Sequence, residues 1–94
     1  MTTESDSQSP LRVRKSDLVW QTVDDEIVVL DLRGSRYFRL NTAGALLWKL
    51  LTGEASHKAL VAELELRYGR DAASARADVD IFVQGLRAHS LLEN

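Results

Sequence analysis

Residues 34–41 read "GSRYFRLN", and the placement of this stretch decides the fold. As an extended strand, its side chains alternate between two faces, with Phe38 and Leu40 on one and Tyr37 and Arg39 on the other. The segment before it, "EIVVLDL" at 26–32, is a β-branched run bounded by acidic residues and reads as a strand. "LVWQTV" at 18–23 reads as another. "DDE" at 24–26 and "RGS" at 33–35 are the turns between them, and Gly34 is the residue expected at positive φ. Links this short favour an antiparallel meander. Arg36–Leu40 is then its third strand, and therefore an open edge.

Beyond residue 40 the period becomes helical. "NTAGALLWKLLTG" offers Asn41 or Thr42 as N-cap and Gly53 as stop. Leu46, Leu47, Leu50 and Leu51 form its apolar face, with Trp48 on the flank. A second helix runs from Ser56 to Gly69, with Leu60, Val61, Leu64 and Tyr68 as its stripe. A third is capped by Asp71 and carries Val79, Phe82, Val83 and Leu86 at helical spacing. Three strands followed by three helices predict an α+β domain with the helices on one face of the sheet.

Composition narrows the function classes. The chain has 94 residues, 45% hydrophobic and 28% charged, the size of one small domain. It has no cysteine, so no disulfide framework or thiolate metal site is available. No apolar run approaches the length of a membrane span, and "MTTESDSQSP" is not a signal peptide. A cytoplasmic location, no membrane partner and a disordered polar arm over residues 1–14 are expected. A net charge of −2 lacks the footprint of a nucleic-acid binder, and no helix carries the basic stripe of a winged-helix DNA reader.

No catalytic or metal-ligating constellation stands out. His57 and His89 lack ligand spacing and read as surface helix residues. "DDE" is a polar turn, and "RGS" lacks the glycines and lysine of a phosphate cradle. No enzyme activity and no cofactor are expected.

The third helix holds an anomaly. Ile81, Phe82 and Val83 are consecutive and point about 100° apart, so one stripe does not bury all three. Ile81, or part of Phe82, is expected at a rim. Gly85 sits inside the helix at a cost of about 1 kcal/mol relative to alanine. Either another backbone approaches it or it lets the first helix pack closely.

The ordered set "VVLDLRGSRYFRLNTAGALLWKLLTG", "RYG" and "DAASARADVDIF" resembles the PqqD-like family of RiPP recognition elements. The match spans roughly residues 18–92, and the resemblance makes 15–94 the peptide-binding domain. One departure is visible. Many members carry threonine just before the first-helix glycine, where this chain has Ala43 after Thr42; this touches the helix start, not the strand edge.

The resemblance implies a winged helix-turn-helix-like fold that binds, without catalysis, the leader of a ribosomally made precursor peptide. The leader adds as a strand antiparallel to the third strand and lies against the third helix. The implied contact residues are Arg36, Tyr37, Phe38, Arg39 and Leu40, with Asp78, Ile81, Phe82 and Gly85. Arg36 and Arg39 either guard the edge or meet acidic leader side chains. Asp78 accepts from the guest, pairs with a strand arginine or is merely solvated. Tyr37 stacks on a sheet neighbour such as Trp20 or touches the guest. With no appended domain, the chain reads as a stand-alone element. It would serve a leader peptidase in lasso-peptide biosynthesis, or alternatively act as a peptide chaperone in pyrroloquinoline quinone biosynthesis.

Overall fold

The structure, a computed structural model, describes residues 9–93. Its strands are β1 (Pro10–Leu11), β2 (Leu18–Val23), β3 (Glu26–Asp31), β4 (Arg36–Leu40) and β5 (Ala55–Ser56). Its helices are α1 (Thr42–Thr52), α2 (His57–Tyr68) and α3 (Ala72–Ala88). The principal sheet is antiparallel in the order β2-β3-β4, as the short turns predict. No helix is long and apolar enough to cross a membrane among the described residues.

Register fixes the two faces. Val29 pairs Trp20 on one side and Phe38 on the other, and Ile27 pairs Leu40. Paired residues share a face in an antiparallel ladder, so Ile27, Val29, Phe38 and Leu40 all point toward the helices. Ile27 and Val29 are fully buried there with Trp48, Leu51, Leu60 and Val79. Tyr37 pairs Leu30, which pairs Val19. That row lies on the opposite face from Trp20, so Tyr37 does not stack on Trp20.

The helices begin where their caps predict. The side chain of Asn41 accepts from the Gly44 amide at 2.9 Å, which selects it over Thr42. Ser56 and Asp71 do the same for α2 and α3. Trp48 lies at the centre of the core rather than on a flank, and Tyr68 is exposed rather than part of the stripe. α1 packs against both β3 and α2, so a broader arc of it is buried than a single stripe.

The turn between β3 and β4 departs from expectation. Ser35, not Gly34, holds the positive φ, at 52°. Asp31 folds the loop by accepting from the amides of Arg33 and Gly34. A Cβ at Gly34 would come within 2.9 Å of the Arg36 Nε, so a side chain there would displace the end of that arginine.

The disordered arm expected over 1–14 is corrected in its last part. Residues 1–8 lie outside the described residues. Pro10–Leu11 pairs with Ala55–Ser56, Val13 bridges Leu92, and Leu11 and Val13 are buried. Arg14 is buried as well, with Nη2 at 2.7 Å from the buried Asp31 and Nη1 donating to the Ser90 carbonyl. The apolar residues of "PLRV" are too few to show a period, and their partners lie more than forty residues away.

Candidate functional site

β4 stands at the edge of the sheet, so one side of its backbone presents unpaired N–H and C=O groups. α3 runs beside that edge, and an open groove of about 430 Å³ lies between them. Tyr37, Phe38, Arg39 and Leu40 line it from the strand, and Ile81, Phe82 and Gly85 from the helix. Val29, Trp48, Leu86, His89 and Leu91 complete the lining.

Local sequence explains each wall. The alternation of β4 sends Phe38 and Leu40 inward, where both are half-buried against the core. In α3, Val79, Val83 and Leu86 are buried while Ile81 is 70% exposed. Ile81 is thus the rim residue that the consecutive apolar run demanded, with Phe82 half-buried beside it. Gly85 is open: a Cβ there would meet nothing within 4 Å. This excludes close packing by α1 as the reason for the glycine. At Gly44 of α1, by contrast, a Cβ would meet Leu40 and Phe82 at 3.5 Å, an ordinary contact, and the Asn41 Oδ1 at 3.3 Å.

Two of the expected residues stand outside the lining. Asp78 borders a second cleft of about 390 Å³ that shares Ile81 and Phe82 with the groove. Its carboxylate lies 2.6 Å from Arg70, a partner outside the strand. Arg36 lies beside the lining residues Phe38 and His89. Its guanidinium lies 3.5 Å from Asp31, 3.2 Å from Nδ1 of His89, and 5.4 Å from the centre of the Phe38 ring. Arg39 points to the outer face and binds Glu26 at 2.7 Å, an ion pair that favours its charged form.

Sequence reading missed His89. It lies in the groove wall with its ring 4.7 Å from that of Phe38. Arginine only donates, so Nδ1 of His89 is the acceptor in this contact. Nothing local marks this histidine, because its partners are on a strand some fifty residues earlier. The Arg14–Asp31 pair below the groove was missed as well. Its hydrogen bond from Arg14, together with the two loop amides, holds the Asp31 carboxyl below its ordinary value against the opposing effect of burial.

A family model described as coenzyme PQQ synthesis protein D (PqqD) matches residues 26–92. TbiB1, solved in complex with the TbiA(beta) leader peptide, superposes with a TM-score of 0.81 at 28% identity, covering 88% of this chain and 95% of that one. Lasso peptide synthetase B1, complexed with its leader peptide, superposes with a TM-score of 0.78 at 24% identity, covering 89% and 98%; at that identity the likeness is one of fold. No curated protein matches the chain.

Proposed function

The chain belongs to the family of coenzyme PQQ synthesis protein D, and on that premise we propose that it binds the leader of a ribosomally synthesised precursor peptide. The guest adds as a strand to the free edge of β4 and lays its inward side chains against α3. Backbone hydrogen bonds supply affinity, and the apolar pockets beside them supply selectivity. The product class is read as a lasso peptide from the sequence resemblance, and the 28% identity to a protein solved in complex with a leader peptide supports leader binding.

One observation carries the proposal: a free strand edge faces a helix across an open groove whose apolar rim is solvent-exposed and whose helix carries a glycine at the point of access. The contact residues are Arg36 to Leu40 with Ile81, Phe82 and Gly85, and Asp78 at the continuation of the groove. The role is non-catalytic and cytoplasmic. By holding the leader, the domain raises the effective concentration of the core peptide at a processing enzyme such as a leader peptidase.

The test is a fluorescence-polarisation titration with the labelled leader of the precursor encoded beside this gene. Micromolar or tighter binding is expected, with none to a scrambled leader. Failure to bind any neighbouring precursor's leader overturns the reading.

A further inference from the structure

Three charged side chains stand around the groove, and they are not equivalent. Arg39 is matched by Glu26 at 2.7 Å, and Asp78 by Arg70 at 2.6 Å. Arg36 is matched only in part. Its nearest carboxylate, Asp31, accepts from the buried Arg14 at 2.7 Å and from two backbone amides, all on Oδ1, and its Oδ2 faces Arg36 at 3.5 Å. One carboxylate therefore faces two guanidiniums, and Arg36 is the more exposed of the two, at 47%. It is also held in place by the Phe38 ring and His89.

Taking the strand-addition reading as given, we propose that Arg36 and His89 form a carboxylate subsite for an Asp or Glu side chain of the bound peptide. The position of that residue follows from the ladder. Opposed residues in an antiparallel pair share a face, and β4 points Leu40, Phe38 and Arg36 toward the helices. An antiparallel guest meets them in the order Leu40, Phe38, Arg36 along its own chain. Its inward side chains at n and n+2 are apolar, and the one at n+4 is acidic. The subsite sets register. A slip of one residue turns all three side chains outward, and a slip of two moves the carboxylate onto the Phe38 ring, where it has no cation. Gly34 acts as a positioning residue, because a Cβ there would push on the Arg36 Nε.

The experiment uses the full chain and the labelled leader of the precursor encoded beside its gene, titrated by fluorescence polarisation at about 50 and 300 mM NaCl. Each Asp and Glu of that leader is replaced in turn by Asn or Gln. One replacement is expected to weaken binding about tenfold on the wild type and to have no further effect on Arg36→Gln, which itself loses about tenfold. Arg36→Gln also shows a smaller loss of affinity with salt than the wild type. Arg67→Gln, the same charge change on remote α2, retains wild-type affinity. Gly34→Ala shows part of the Arg36→Gln loss.

The subsite is overturned if every acidic replacement stays within about twofold of the parent leader, or if Arg36→Gln keeps both affinity and salt dependence. A wild type that ignores the parent leader overturns strand addition itself. If circular dichroism shows Arg36→Gln unfolded, the peptide series on the wild type decides alone.

Discussion

The principal sheet has two edges, β2 and β4, and only one has the makings of a site. Both present a row of unpaired backbone groups. β2 is exposed along nearly its whole length, and even its inward Trp20 is 39% exposed. A peptide laid there gains hydrogen bonds worth about 0.5–1.5 kcal/mol each, net, and must also lose its own backbone freedom. β4 has α3 alongside it. A peptide laid there buries apolar surface from Ile81, Phe82, Phe38 and Leu40 as well, at roughly 25 cal/mol per Å². The difference teaches that a free edge is a template, and that a helix wall beside it adds the apolar surface an added strand would bury.

The strongest way to break this comparison is to fill the wall. Gly85→Leu places a side chain where the structure has open space. Leader affinity is expected to fall on the order of a hundredfold, since the added side chain occupies the guest's place. Stability moves the other way, rising by about 0.5–1 kcal/mol as a helix-interior glycine is removed. A thermal melt and a polarisation titration on one sample check both signs. A variant that is more stable and still binds normally means that the guest does not use this wall.

The two turns beside the edges sharpen the comparison next. The turn leading into β4 is built on the buried Asp31, whereas the β2–β3 turn is built on exposed Asp24 and Asp25, with Asp24 at a φ of 58°. Asp31→Asn is expected to lower the melting temperature by several degrees at pH 7, and Asp25→Asn to leave it nearly unchanged. The pH dependence follows in sign. The folded carboxyl titrates below its ordinary 3.8, so its contribution is complete above that pH. It is lost as pH falls from there through the folded value, because the unfolded chain takes up the proton first. Melts from pH 7 down to about 3 should show a steeper acid loss for wild type than for Asp31→Asn.

A smaller effect compares one apolar side chain at each edge. Ile81→Ser, at the rim of the wall, is expected to weaken the leader by about 1–2 kcal/mol, roughly five- to thirtyfold. Its effect on stability stays within about 0.5 kcal/mol, as for other exposed positions. Val19→Ser on β2, also exposed, should leave leader affinity unchanged. Equal losses at the two positions would remove the distinction between the edges.

The sequence announced the wall and the edge but not what lies beneath them. β4 was legible because alternation and two short turns are local signals. Ile81 and Gly85 were legible because each violates a helical rule, one by exposing a branched apolar side chain and the other by placing glycine in an interior turn. Arg14 was not legible. It looked like part of a polar arm, and its partners are Asp31 and the Ser90 carbonyl, which only the tertiary fold brings together. His89 failed for the same reason, since the contacts that give it meaning are on β4. A period read on α1 alone puts Trp48 on a flank, because it does not show that the helix is packed from two sides.

The smallest expected effect concerns the cap that joins the edge to the first helix. Asn41 follows β4 directly and caps α1 through the Gly44 amide, and Gly44 in turn packs against Phe82 of the groove. Ser56 caps α2 through the Ala59 amide, away from the groove. Alanine at either position is expected to cost about 1 kcal/mol, or about 4–8 °C in melting temperature. The two should differ in binding. Asn41→Ala loosens the α1 turn against which Phe82 is set, so leader affinity falls by about two- to threefold. Ser56→Ala loosens a turn that the guest never meets, so affinity stays at the wild-type value while the protein remains folded. Paired titrations well below both melting temperatures separate a local effect on the groove from a global effect on stability. Equal affinities for the two variants would mean that the exit from β4 is held by the strand and the core alone, with the cap adding stability but no shape to the site.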